Sequence, residues 1–374
     1  MRIAIVLNTS WNIYNFRLSL IKALQKQGHE VHTIAPKDDF TPLLEAQGCI
    51  HHNLKMDSRG ANPVKDLALV AELYRLYKRL RPDVILHFTI KPNIYGTLAA
   101  AALGIPSVNN VCGLGTAFLK QGLTAKIAML LYRFSFRFAH KVFFQNPEDL
   151  KLFEDNRIID VRQADLVPGS GINLEHFAPT PRQTGKPFTF LMISRLITDK
   201  GVLEYIQAIE LLKRQGLHAR YQLLGAIDEK HKRGIPAKTL AQWVEAGTVE
   251  YLGTTADVRK CIEQADCVVL PSYREGTPRT LLEASAMKRP VIATDVPGCR
   301  QVVEHNKTGL LCQQKDAHDL AAKMHLMASM PHETLEAWGE KARQKVENEF
   351  DEELVISKYL QTLNTLTQLR TSCK

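Results

Sequence analysis

Two glutamates, Glu275 and Glu283, bracket a Thr277-Pro278 step that follows an apolar run ending at Leu270. Threonine favours the capping position of a helix, and proline suits the first helical position, where no N–H is needed. The amides near Arg279, Thr280 and Leu281 would then face the preceding loop and offer a seat for phosphate oxygens. Glu283, one turn further in, is placed to accept hydrogen bonds from neutral hydroxyls such as those of a ribose. Upstream, a second apolar run ends at Ile193, and Arg195 and Lys200 flank the turn that follows it. Two cations at a strand end suit a diphosphate, arginine as a planar fork and lysine as a point charge. Taken singly, each of these residues reads equally as a solvated surface charge. Taken together at strand ends, they favour a ligand site.

Such residues need a scaffold, and the chain supplies one as alternating short β-rich runs and helical patterns. Residues 2–8, 31–35, 83–88, 106–111 and 141–145 read as strands; 15–27, 64–80, 93–103 and 122–140 read as helices. The pattern restarts with strands at 188–193, 220–224, 249–252, 267–270 and 291–294, and residues 316–372 are nearly all helical. This alternation predicts two doubly wound parallel α/β lobes of Rossmann-like form facing one cleft. Pro168, Gly169, Gly171, Pro179, Pro181, Gly185 and Pro187 mark a linker between them. The expected division is 1–168 and 169–351, with a C-terminal helix at 352–372 packing back on the first lobe. Gly169 and Gly171 permit unusual dihedrals, so this run serves a hinge or a ligand-contacting loop equally well. No G-x-G-x-x-G follows the first strand, which argues against nicotinamide or flavin binding.

The 374 residues carry a formal charge of +9 and are 45% hydrophobic, the profile of an ordinary globular protein. Residues 51–141 hold thirteen Lys and Arg against four Asp and Glu, so the whole surplus sits in the first lobe. A basic lobe points to an anionic partner: a phosphate, a lipid diphosphate, a membrane surface or nucleic acid. Seven cysteines without C-x-x-C spacing argue against disulfides or zinc and for a reducing compartment. The first apolar run is too short for a signal peptide, and no run reaches a membrane span. Arg2 and the position of Cys373 rule out the common lipid anchors. The expected location is cytoplasmic, with peripheral attachment to the inner face of the membrane.

Glu275 and Glu283 match the E-x7-E signature of family 4 of the retaining glycosyltransferases, which have the GT-B type fold. Arg195, Lys200 and Gly201 match that family's R-x4-K-G segment, and Gly169 to Asn173 its hinge run. The chain resembles this family across its C-terminal half. Its first half is similar to bacterial transferases that extend undecaprenyl-diphosphate-linked sugars, chiefly at Phe88 to Gly96 and Asn110 to Gly115. The resemblance implies a UDP-sugar or similar donor, a lipid-linked glycan acceptor, and hexosyl or N-acetylhexosaminyl transfer with retention in surface polysaccharide assembly. It implies that Arg195 and Lys200 neutralise the donor diphosphate and that Glu283 holds the ribose. Glu275 would contact the donor sugar, helped by the amides of Gly276 to Arg279, and Gly171 would approach the donor.

No D-x-D occurs to hold a divalent cation, so neither metal nor cofactor is expected; the nucleotide-sugar is a substrate. The family often has two glycines after its first strand, where this chain has Thr9, Ser10 and Trp11 in the run Asn8 to Asn15. His87, Lys91 and Asn110 are candidates to touch donor sugar or acceptor, with a satisfied core histidine as the plain reading of His87. Arg17 and Arg59 are candidates for the acceptor diphosphate. The run Phe118 to Lys141 sets Lys120, Lys126, Arg133, Arg137 and Lys141 among apolar residues, which suits an interfacial helix or a core helix with a basic edge. Two other functions remain open: a UDP-sugar 2-epimerase on the same architecture, and a non-enzymatic nucleic-acid binder, for which no recognition motif is present.

Overall fold

The structure, a computed structural model, describes residues 1–57, 62–114, 122–182, 185–229 and 231–372. The chain forms two compact units, Met1–Ser170 with Glu352–Lys374, and Gly171–Asp351.

The first unit is built on strands β1 (Arg2–Val6), β2 (Glu30–Ala35), β3 (Ile50–Asn53), β4 (Val84–Phe88), β5 (Ser107–Val111), β6 (Lys141–Phe144) and β7 (Ala164–Leu166). All pair in parallel, in the order β3-β2-β1-β4-β5-β6-β7. Helices α1 (Ser10–Lys26), α2 (Thr41–Ala46), α3 (Pro63–Leu80), α4 (Thr97–Ala101), α5 (Leu123–Phe136) and α6 (Pro147–Asp155) cover the sheet. The alternation of side chains along β1 shows why both faces need cover: Ile3 and Ile5 pack on one face, Ala4 and Val6 on the other.

The second unit carries β8 (Phe188–Ile193), β9 (Ala219–Leu224), β10 (Glu250–Tyr251), β11 (Cys267–Leu270), β12 (Val291–Thr294) and β13 (Gly309–Cys312), ordered β10-β9-β8-β11-β12-β13 and again parallel. Its helices are α7 (Val202–Arg214), α8 (Ala237–Glu245), α9 (Arg259–Gln264), α10 (Arg279–Ala286), α11 (Cys299–Val302), α12 (Ala317–Ala328) and α13 (His332–Glu349). The last helix, α14 (Glu352–Ser372), packs Val355, Ile356, Tyr359 and Leu363 into the core of the first unit. Lys358 Nζ reaches Asp165 Oδ1 at 2.9 Å there.

Two local outcomes differ from the sequence reading. The helix expected at 15–27 begins at Ser10, because Thr9 caps it by accepting from the Asn12 amide. The run Asn8 to Asn15 is therefore mostly helix rather than a loop. The helix expected at 93–103 is a π-turn, Pro92–Gly96, running into α4. The His87 ring packs against that turn. A Cβ on Gly96 would stand 2.4 Å from His87 Nε2.

His87 itself is enclosed, with no exposed surface. Its Nε2 is 2.9 Å from the Tyr77 hydroxyl and its Nδ1 is 3.1 Å from Asn109 Oδ1. Burial pushes the imidazole down to about 4, against the pull of the Asn109 hydrogen bond. The histidine is thus a neutral core group and not a ligand-facing one, which corrects the expectation that it meets donor or acceptor.

Because the folded ring titrates near 4 and an unfolded one near 6.5, unfolding takes up a proton between those values. Its contribution is complete above pH 6.5 and is lost as the pH falls toward 4. Urea titrations should show about 2 kcal/mol less stability at pH 5 than at pH 7 from this group alone. Gly96→Ala should lower stability by roughly 1–3 kcal/mol, since the ring is held on both sides and cannot yield. A thermal melt unchanged from wild type would contradict this packing.

Candidate functional site

In the second unit, β8 and β11 lie side by side, with Phe190 opposite Cys267 and Leu191 opposite Val268. Their C-terminal ends therefore open onto the same place. After β8 the chain makes a 3-10 turn, Thr198–Lys200, and enters α7 through Gly201 in the left-handed region (φ 76°). A Cβ on Gly201 would sit 2.0 Å from the Pro271 carbonyl oxygen, so only glycine lets this turn rest on the end of β11. The two loops are then tied together. The Tyr273 amide donates to the Asp199 carbonyl at 2.9 Å, and Ser272 Oγ lies 3.3 Å from the same oxygen.

This contact brings Lys200 and Glu275 together. The Lys200 ammonium pairs directly with Glu275 Oε1, and Ser272 Oγ donates to that oxygen at 2.7 Å. On the other side of the loop, Gly298 (φ 84°) would place a Cβ 2.2 Å from the Gly276 carbonyl oxygen, so backbone packs on backbone there too. Thr280 Oγ1 donates to the Ile193 carbonyl at 3.4 Å, fixing the start of α10 against the end of β8.

Helix α10 begins one residue later than expected. Pro278 occupies the capping position in extended geometry, and Thr277 precedes it. The Leu281 amide is used internally, donating to the Pro278 carbonyl at 3.1 Å, and its side chain is in the core. Leu281 is thus removed from the phosphate seat the sequence suggested; Gly276 and Thr277 precede the cap, and Arg279 and Thr280 are the first two residues of the helix. Arg279 Nε donates to Glu283 Oε1 at 3.0 Å across one helical turn. Burial raises the Glu283 carboxyl above its usual value, and the charge and hydrogen bond of Arg279 work against that rise. Arg195 is exposed and forms no ion pair among the described residues. Gly169 and Gly171, at φ 65° and 71°, lie on either side of the division between the units.

Sequence reasoning missed Ser272, Tyr273 and Gly298. A lone serine or tyrosine carries no spacing signal, while the glycine stood in plain view in a Val-Pro-Gly turn.

In the first unit, strand order reverses between β1 and β4, the point at which such sheets bind ligands. The register that sets Val6 opposite His87 leaves Asn8 and Thr89 adjacent just beyond the strand ends. Thr89 is in the left-handed region (φ 67°), a strained state for a β-branched residue. The Arg17 guanidinium lies 4.3 Å over the Phe88 ring and is 4% exposed. No carboxylate pairs with it among the described residues. Arg17 Nε, Asn8 Oδ1 and Thr89 Oγ1 are buried without a hydrogen-bond partner there.

The remaining candidates are otherwise engaged. Lys91 Nζ pairs with Asp66 at 2.9 Å, and the Tyr95 hydroxyl donates to the same carboxylate. Asn110 is buried, donating to the Tyr359 hydroxyl at 2.8 Å and accepting from Gln145. Asn110 is sealed in the fold, which corrects its placement as a ligand contact, whereas Lys91 keeps part of its side chain exposed. Arg59 lies outside the described residues. Among the described residues no three His, Cys, Asp or Glu side chains gather as a metal-binding group, and no helix is long and apolar enough to cross a membrane.

Comparison with known proteins agrees with this architecture. Residues 175–345 match the family described as glycosyl transferases group 1, and residues 2–146 match the glycosyl transferase 4-like family. The chain is 30% identical to the N,N'-diacetylbacillosaminyl-diphospho-undecaprenol alpha-1,3-N-acetylgalactosaminyltransferase of Campylobacter jejuni, over 96% of this chain and 97% of that one. It is 24% identical to the UDP-Gal:alpha-D-GlcNAc-diphosphoundecaprenol alpha-1,3-galactosyltransferase of Escherichia coli, over 69% of each. Anabaena HepE, solved with UDP and glucose, superposes with a TM-score of 0.80 at 19% identity, covering 97% of this chain and 99% of that one. Two parallel α/β units, family matches along both halves and a relative aligned nearly end to end lead to one conclusion: the chain belongs to the group 1, 4-like glycosyltransferases of GT-B fold.

Proposed function

We propose that the protein transfers a hexosyl or N-acetylhexosaminyl group from a UDP-sugar to an undecaprenyl-diphosphate-linked glycan, with retention and without a metal ion. The observation that carries this reading is the joining of Lys200, Glu275 and the start of α10 at the ends of β8 and β11. Arg195 and Lys200 would neutralise the donor diphosphate. Glu275, now engaged by Lys200, would turn to the donor sugar as the diphosphate takes over the ammonium. Glu283, oriented by Arg279, would grip the ribose. Retention then follows from attack on the face the leaving diphosphate occupies, with that group taking the acceptor proton. Electrostatic stabilisation of the departing diphosphate is the main catalytic effect. On the first unit, Arg17 with Asn8 and Thr89 would meet an acceptor phosphate. The printed activities of the Campylobacter and Escherichia relatives support the choice of acceptor. A lipid-linked acceptor also places the work at a membrane surface.

The deciding experiment offers purified protein a panel of UDP-sugars with an undecaprenyl-diphosphate-linked saccharide and looks for an extended product. Conversion of the UDP-sugar to its 2-epimer without acceptor would overturn the reading. Lys200→Ala should cut turnover at least about a hundredfold, the scale on which single charge-stabilising groups act. Glu275→Gln should slow turnover similarly yet bind UDP more tightly, because it frees the lysine and removes a like charge. Turnover near wild type in both variants, or weaker UDP binding by Glu275→Gln, would remove the site assignment. Excess EDTA should leave the rate unchanged, since side-chain cations do the charge work; a rate restored only by Mg²⁺ or Mn²⁺ would contradict that.

A further inference from the structure

Helix α1 leaves the end of β1 through Thr9, and its second residue is Trp11. The other two tryptophans, Trp243 and Trp338, pack into the core of the second unit, whereas Trp11 is 45% exposed. The indole is nevertheless held in place. Ser10 Oγ donates to the Pro36 carbonyl at 3.1 Å, and Thr41 Oγ1 donates to Ser10 Oγ at 3.0 Å. The Asp38 carboxylate accepts from the Trp11 amide and from the Phe40 amide, each at 2.9 Å. These bonds clamp the first turn of α1 to the loop after β2. The indole stands almost perpendicular to the rings of Phe16 and Phe40, at 88° and 89°, with centroids 5.2 Å and 6.5 Å away. Edge-to-face packing of this kind fixes a ring while leaving much of it open.

The residues around the ring in the chain are polar, and none but Lys37 is cationic. Asn12 follows Trp11 on α1, and Asn15, one turn on, donates to the Trp11 carbonyl at 2.9 Å. The clamping loop sets Asp38 and Asp39 against Lys37, so its charge is negative. Asn8, with its Oδ1 buried and unpartnered among the described residues, precedes Trp11 by three positions. Three residues span at most about 11 Å. The indole is therefore a close neighbour of the group formed by Arg17, Asn8 and Thr89.

We propose that Trp11 is the stacking platform for a sugar ring of the acceptor, one linked to the phosphate that Arg17, Asn8 and Thr89 meet. Charge and chemistry select this occupant. A pyranose has an apolar face of C–H bonds, which gains from a rigid indole, and a rim of hydroxyls, which gains from amides and carboxylates nearby. Nucleic acid also stacks on aromatic rings, but its phosphates need cations and would here meet Asp38 and Asp39. A ring already fixed loses little freedom on binding, so its contact area is expressed as affinity. The inference rests on the transferase reading for the identity of the acceptor, and it makes Trp11 a determinant of acceptor affinity.

The test joins steady-state kinetics to fluorine NMR of protein labelled with fluorotryptophan. The probes are short-chain GlcNAc-diphosphate and N,N'-diacetylbacillosaminyl-diphosphate lipids, and the same diphosphate lipid without a sugar. Trp11→Ala should raise the acceptor KM at least about tenfold, the scale of a tryptophan at the centre of a binding surface, and leave the KM for the UDP-sugar unchanged. Trp11→Leu should be as poor, and Trp11→Phe should restore most of the affinity, because a ring and not apolar bulk is required. The Trp11 resonance, identified by its loss in Trp11→Phe, should shift with a sugar-bearing lipid and not with the bare diphosphate lipid. No such shift, or an acceptor KM untouched by Trp11→Ala, would overturn the platform; in an active enzyme either result spares the proposed function. A shift with the sugar-bearing lipid but no transfer from any UDP-sugar would do the reverse. Full rescue by Trp11→Leu, or an altered oligomeric state of Trp11→Ala on gel filtration, would also overturn the assignment.

Discussion

Lys200 and Glu275 are 75 residues apart in the chain, and they meet because β8 and β11 are neighbours in the sheet. Sheet order alone would bring their loops only near each other. The remaining distance closes through Gly201, whose missing side chain lets one turn lie directly on the Pro271 carbonyl. Gly298 does the same from the opposite side against Gly276. The ion pair, the α10 start and the buried Glu283 therefore hang on backbone-to-backbone contact. That contact is stiffer than side-chain packing, because neither partner has rotamers to adjust.

The first unit handles polarity differently. His87, Asn109 and Tyr77 satisfy one another in a sealed network, and Lys91 is matched by Asp66. Arg17 is the exception, a nearly buried guanidinium resting on an aromatic face with no carboxylate paired to it among the described residues. Unmatched positive charge is costly away from water. Thr89, strained and with its hydroxyl unmet, adds to the same spot.

Much of the fold was legible because buried parallel strands advertise themselves as unbroken apolar runs. Phe188–Ile193, Cys267–Leu270 and Val291–Thr294 occupy the spans those runs indicate. The strands not foreseen are β3, β7 and β13, all of them at the outer edges of their sheets. Ile50–Asn53 reads Ile-His-His-Asn, and an edge strand with polar side chains leaves no hydrophobic signature. For the site, the acidic pair and the basic pair were each visible as local spacing. Their union was not, since it depends on sheet order and on where two glycines fall. His87 misled for a related reason: a strand-end position says nothing of whether a neighbouring turn will close over the ring.

Helix α14 has a bearing on biosynthesis. The Asn110–Tyr359 hydrogen bond joins residues 249 positions apart, and the whole of the second unit lies between them in the chain. During translation the second unit is complete and free to fold while the first still lacks a helix of its core. The earlier half of the message thus finishes folding last, and until α14 leaves the ribosome Val355, Tyr359 and Leu363 are missing from the apolar surface they cover. A nascent chain stalled before Glu352 should therefore be a client for chaperones through its first unit, not its second.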